Sequence, residues 1–209
     1  MMKNTVILLL TTILSTAPIY SQSIENIDYI SPVHENMIAI KKNNQWAFIN
    51  TKGDLVINFR TDLVKTNTEH GNYPMFNSER CLIKSAKNGI TYFGYIDKLG
   101  NTIIEPQFLN ATTFKDGKAI VLKLQKEIVG RNDILEKNVV YHKYFEVVIT
   151  PNGKDIHYIN PDGTNVSLDK EFLRKPPEIN SKRISNTLYA IKGENNKWII
   201  TQIENQTKN

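Results

Sequence analysis

Short apolar runs alternate with polar residues along most of this chain, and several of them close on Asn or Asp followed by Gly. Three stretches share the pattern aromatic or apolar, any residue, aromatic, Ile, Asn or Asp, two further residues, Gly. They are Trp46-Ala47-Phe48-Ile49-Asn50-Thr51-Lys52-Gly53, Phe93-Gly94-Tyr95-Ile96-Asp97-Lys98-Leu99-Gly100 and Ile156-His157-Tyr158-Ile159-Asn160-Pro161-Asp162-Gly163. A fourth stretch, Trp198-Ile199-Ile200-Thr201, begins the pattern. Alternation with period two is the signature of a strand with one buried face. An Asn or Asp side chain bonds its own backbone to open a turn, and Gly takes the positive φ that other residues resist. Apolar residues resume in Leu55-Val56-Ile57, Thr102-Ile103-Ile104 and Asn165-Val166, so each block is expected to be a β-hairpin.

A second element precedes the hairpins: Ile38-Ala39-Ile40-Lys41, Cys81-Leu82-Ile83-Lys84, Ile120-Val121-Leu122-Lys123 and Tyr189-Ala190-Ile191-Lys192. Together the two elements define a three-stranded meander of about forty residues, within the usual range for repeats. The third copy has a much longer gap between its lysine and its turn glycine. This predicts an insertion at about 124–150, an extra hairpin with its loop at Gly130 to Lys137. The fold class expected is all-β, an array of about four antiparallel meander or hairpin repeats, stacked or sharing a sheet, with little helix. Units start near 38, 81, 120 and 189, because an isolated hairpin cannot bury its own apolar face. Trp46 and Phe48 fall on one strand face, as do Phe93 and Tyr95, and that aromatic face is expected to be the core shared between repeats.

Outside the repeats, Lys3 precedes an uncharged apolar run, Thr5 to Thr16, and a small-residue exit at Ala17 to Ser21. That order of charge, short apolar core and small residues predicts a signal peptide over 1–21, too short to span a membrane. No cysteine lies near its end to carry a lipid, so the expected product is exported, periplasmic or extracellular, and not a lipoprotein. The remaining organisation is a lead-in over 22–35, a repeat domain over 36–204 with a basic linker at about 168–187, and a tail over 205–209. The net charge of +5 is a mild excess rather than a nucleic-acid signature, and nothing after residue 21 is apolar enough to span a bilayer. Cys81 is the single cysteine, which excludes an intrachain disulfide and leaves stability to packing.

The Phe93 to Gly100 hairpin, the following Ile104-Glu105-Pro106-Gln107-Phe108 and the lead Phe114-Lys115-Asp116-Gly117-Lys118-Ala119 resemble the WG (KWG) repeats of bacterial proteins. Residues 36 to 123 carry the resemblance best. No copy keeps the Trp-Gly pair: Trp46 precedes Ala47, Phe93 precedes Gly94, the third copy has Ile156-His157 and the fourth Trp198-Ile199. The resemblance implies a β-repeat scaffold that serves as an interaction module, and it supplies no catalytic residues. The residues that define the repeat are Trp46, Gly53, Phe93, Gly94, Gly100, Gly163 and Trp198.

Residues with chemistry are better explained by the repeat. Cys81 occupies an apolar strand position, so pairing it with His70 as a nucleophile is disfavoured. His34, His70, His142 and His157 lack metal-ligand spacing, and Asp97 and Asp162 sit where turns need them. No cofactor is expected. The long connection Asn58 to Arg80 is one candidate contact surface, through Arg60, Asp62, Glu69, His70 and Tyr73. The loop with Arg131 and Asp133 is the other. Lys170, Arg174, Lys175, Lys182 and Arg183 make the linker basic, without the interleaved aromatics that nucleic-acid binding uses. The functional expectation is therefore an exported, non-enzymatic interaction or scaffolding module with a protein or cell-envelope partner. The alternatives are a carbohydrate- or envelope-binding protein using exposed aromatics, and a small hydrolase using Asp62, Glu69 or His70.

Overall fold

The computed structural model describes residues 23–132, 137–193 and 195–203, with the backbone alone at 129, 131–132 and 137–139. The expected signal peptide and Asp133 lie outside the described residues. Among the described residues there is no helix, and the strands pair antiparallel. The first sheet runs β1 (Tyr29–Ile30), β2 (Met37–Lys42), β3 (Gln45–Asn50), β4 (Leu55–Arg60). A small hairpin follows, β5 (Thr66–Thr68) and β6 (Gly71–Tyr73). Strands β7 (Cys81–Lys87), β8 (Ile90–Ile96), β9 (Thr102–Ala111), β10 (Ala119–Asn132), β11 (Lys137–Ile149) and β12 (Asp155–Tyr158) form the second sheet in sequence order, with β13 (Thr164–Val166) also on β11. The last sheet is β14 (Ser181–Arg183), β15 (Leu188–Lys192), β16 (Trp198–Gln202).

Strand register defines the repeat. Ile38 pairs with Ile49, Cys81 with Ile96, Ala119 with Ile149 and Tyr189 with Thr201. Three residues further along, Lys41 lies opposite Trp46, Lys84 opposite Phe93 and Lys192 opposite Trp198, while the third unit has Leu122 opposite Glu146. The recurring lysine is therefore the cross-strand neighbour of the recurring aromatic.

The turn chemistry is shared by three units. Asn50 Oδ1 accepts the N–H groups of Lys52 and Asp54 at 2.9 and 3.0 Å, and Asp97 Oδ1 accepts those of Leu99 and Asn101 at 2.9 and 2.8 Å. Thr150 Oγ1 takes the same place, accepting from Lys154 at 3.1 Å. Gly53, Gly100 and Gly153 close the three turns at φ of 90°, 86° and 78°. Here the structure corrects the reading of the third copy. Its hairpin is β10–β11 with the turn at Thr150 to Gly153, not Ile156 to Gly163, and the residue equivalent to Cys81 is Ala119 rather than Ile120.

The segment assigned to an insertion is this unit's own long hairpin. Its pairing continues through Gly130 with Val139, Arg131 with Asn138 and Asn132 with Lys137, so the ladder takes up both ends of the loop expected over 130–137, and 133–136 lie outside the described residues. Gly163 closes a different turn, between β12 and β13. Its position is fixed by Phe145, whose ring would stand 2.8 Å from an added Cβ. The expected linker also contains a strand, β14, and Leu173 plugs a core of Ile90, Leu109 and Leu122.

The cores between units follow one rule. Ala39, Trp46 and Phe48 of the first unit meet Cys81, Ile83 and Ile96 of the second. Leu82, Phe93 and Tyr95 of the second meet Ala119, Val121, Val147 and Ile149 of the third. Ile120 and Val148 of the third meet Tyr189, Ile191 and Ile203 of the fourth. Each unit thus sends one face forward and one backward, as alternation along a strand requires.

Tight turns before the first three units reinforce this order. Glu35 and Asn36, Ser78 and Glu79, and Asp116 and Gly117 all have positive φ, the pair of values a type I′ turn needs. The Glu35 carboxylate accepts the N–H groups of Ser78 and Glu79 at 2.6 and 2.9 Å, and Ser78 Oγ accepts that of Gly117 at 2.9 Å. Arg183 continues the line, its Nη2 lying 3.0 Å from Asp116 Oδ2.

Candidate functional site

The residues picked out in the long connection have mainly structural partners. Arg60 grips Asp62 through two donors, Nε to Oδ1 at 2.6 Å and Nη2 to Oδ2 at 2.7 Å. Hydrogen bonding to Asp62 raises the Arg60 pKa above its ordinary value, against the opposing effect of burial. The Asp62 carbonyl accepts the Lys84 N–H at 2.9 Å, and Leu63 bridges to Ile83, so this segment edges the second unit. Glu69 and His70 are exposed in the β5–β6 turn, where Thr68 Oγ1 accepts the His70 N–H and donates to the Gly71 carbonyl. Among the described residues no hydrogen bond or ion pair joins Glu69 or His70 to Asp62.

Tyr73, expected at a contact surface, is instead buried in the core beside Tyr29. Alternation places its ring inward, and a loop reading could not register that. Arg131 lies on β10, its backbone paired with Asn138. Cys81 is fully buried, and burial pushes its thiol pKa up, which suits a packing role.

The aromatic face divides in two. Trp46, Phe48, Phe93 and Tyr95 are core, Phe48 packing edge-on against Phe76 and Tyr95 against Phe114. Tyr95 also donates to the Thr112 carbonyl at 2.7 Å. Trp198, the fourth copy of the same position, is 48% exposed, with Ile199 at 60% and Ile200 at 66%. Register makes Ile200 the equivalent of Phe48 and Tyr95, which are 1% and 0% exposed. The difference comes from packing: among the described residues no further unit covers the forward face of β15 and β16, where Trp198 and Ile200 lie. Lys182 stands over the Trp198 ring, its ammonium 4.4 Å from the centroid, and supplies a cationic border.

A second surface lies beside the first unit. Tyr29, Lys41, Trp46, Lys65, Asn72 and Lys84 border an open groove of about 440 Å³. None of its three lysines is in an ion pair among the described residues. Asp28, also on the groove, has one carboxylate oxygen engaged by the Asn43 N–H at 2.9 Å. The groove is thus a cationic trough with aromatic edges. Among the described residues no three His, Cys, Asp or Glu side chains are placed to hold a metal ion. No helix there is long and apolar enough to cross a membrane.

A family model for the WG containing repeat matches residues 24–46 and 93–126. Over these two stretches the chain is similar to the WG containing repeat. The first match covers β1, β2 and the start of β3; the second covers most of β8, all of β9, the turn at Asp116 and the first half of β10. The second stretch includes the Asp97 turn with the strands on either side of it, whereas the first stops short of the Asn50 turn. No curated protein and no solved structure matches the chain.

Two features of the WG stack escape a sequence reading. Glu146 replaces the aromatic of the third unit and is 4% exposed, its carboxylate accepting the N–H groups of Asn180 and Ser181 at 2.7 and 3.0 Å. The only local signal is a charge inside the run Phe145-Glu146-Val147. The groove joins β1, β2, β7 and the β5–β6 hairpin, so its lysines have no common sequence neighbourhood.

Proposed function

We propose that this chain is an exported, non-catalytic WG-repeat protein that works as an interaction or scaffolding module, with the exposed end of its stack as the contact surface. One observation carries the reading: Trp198 and Ile200 are open at the strand positions that are sealed by the next unit in the first two repeats. A contiguous apolar sheet face with a polar border is the usual form of a protein-contact site. Export is supported by the order of charge, apolar core and small residues in Lys3 to Ser21.

The test is affinity capture from envelope extracts with the wild-type chain and Ile200→Lys side by side. A specific partner retained by the wild type and lost by the variant, with unchanged thermal unfolding, is the expected result. Equal capture by both chains would remove the end face from the reading.

The cationic groove favours a second reading, a cell-envelope component bearing carboxylate or phosphate groups, such as an acidic glycan. Lys41, Lys65 and Lys84 would attract the charge while the half-buried ring of Tyr29 packs against sugar carbons. Titration with an acidic oligosaccharide should then show affinity that falls on adding salt and in Lys84→Ala. Salt-independent binding, or none, argues against the groove.

A further inference from the structure

The stack itself contains the rule by which another unit would be added. Three times over, the forward face of one unit meets the backward face of the next. In no case do two forward faces meet. The series then leaves one face of each kind unmatched among the described residues. At the C-terminal end it is the forward face of β15 and β16, where Trp198 and Ile200 are exposed around a buried Ala190. At the N-terminal end it is the backward face of the first sheet, where Ile30 pairs with Ile40 and Leu55 with Ile49. Ile30 is 63% and Leu55 43% exposed there, around half-buried Ile38 and Ile49 and a buried Ile40.

We infer that these two faces join copies of this chain head to tail, the forward face of the last unit in one copy receiving the backward face of the first unit in the next. The inference rests on the reading of the end face as a contact surface, and it names the occupant. A second copy is favoured over an unrelated protein because each chain already carries both halves of an interface that it builds internally. The cross-strand register and the direction of packing are set by the same repeat. A contact between unlike faces does not close on itself as a twofold dimer does, so it extends into an open string or a ring.

Two exposed substitutions test this. Ile200→Lys blocks the forward end and Leu55→Lys the backward end, and both positions are open enough for the chain to fold, which circular dichroism and the thermal midpoint establish. In sedimentation velocity across roughly a hundredfold range of concentration, the wild type should grow from monomer into larger species. Each variant alone should remain monomeric. An equimolar mixture of the two should stop at the dimer, because each partner keeps one competent end.

A wild type that stays monomeric throughout overturns the inference. So does a Leu55→Lys chain that still dimerises alone, since that would make the contact forward face to forward face. The underlying reading fails separately: a monomeric wild type that captures an envelope partner lost in Ile200→Lys defeats self-association and leaves the contact face standing. If Ile200→Lys changes neither assembly nor capture, both fall.

Discussion

The buried carboxylate of Glu146 accepts the backbone N–H of Ser181 at 3.0 Å, and through this contact the third unit holds the first strand of the fourth. Its other oxygen takes the N–H of Asn180, and its carbonyl accepts that of Ile159 at 2.7 Å. A charge at this depth is tolerated because backbone donors surround it. Glu146→Ala would strand those donors and should cost about 2–4 kcal/mol. Hydrogen exchange should locate the loss, with faster exchange in β14 to β16 and little change in β2 to β9.

Trp46 and Trp198 occupy one repeat position in opposite surroundings. Trp46 packs edge-on against Tyr29 at 5.7 Å between ring centroids and is 7% exposed. Trp46→Ala should cost about 3–5 kcal/mol, as large cavities in cores do. Trp198→Ala should cost less than about 1 kcal/mol. Urea unfolding of the two variants reads the contrast directly, and equal losses would contradict the end-face assignment.

Gly94 is needed for space and Gly53 for conformation. A Cβ at Gly94 would stand 2.3 Å from the Ile104 carbonyl oxygen and 2.7 Å from the Pro106 nitrogen, backbone atoms that cannot swing aside. At Gly53 there is open space but a φ of 90°. Gly53→Ala should therefore lose about 1 kcal/mol through strain alone. Gly94→Ala should lose about 3 kcal/mol or more by forcing β8 from β9, and the two denaturation midpoints should differ accordingly.

Asp97 gives the fold an acid sensitivity with a definite sign. Partial burial pushes its pKa upward, but hydrogen bonds from the Asn101 side chain and from the backbone of Asn101 and Leu99, with the Arg80 charge, hold it below the ordinary value. A carboxyl that is more acidic folded than unfolded adds stability above its unfolded pKa, about 3.9, and that contribution disappears as the pH falls through the folded value. Asp97→Asn should remove this component. The difference in urea midpoint between wild type and variant should therefore shrink between pH 6 and pH 3; a constant gap would show that Asp97 contributes no acid dependence.

Much of the repeat is legible in the residues because its determinants are local. Asn50 and Asp97 each bond backbone groups two and four residues ahead, so turn, strand and period follow from short strings. The third copy was hidden by the same locality. Thr150 performs the turn bond with a hydroxyl, Glu146 fills the aromatic position with a charge, and Asn160 to Gly163 imitates the motif while serving another turn. A string comparison weighs residue types, whereas the ladder weighs which N–H has an acceptor, and Thr150 meets the need of the residue four ahead as Asn50 does.

The sequence by itself determined the class of fold, the turns and the alternation that gives every unit two apolar faces. Only the tertiary structure decided which face meets which, that Tyr73 points inward, and that Trp198 stays open although Trp46 is buried. Those outcomes depend on contacts between residues far apart in the chain and on position in the stack. Position cannot be written into a unit's own residues: identical strand sites are core in the middle of a series and surface at its end.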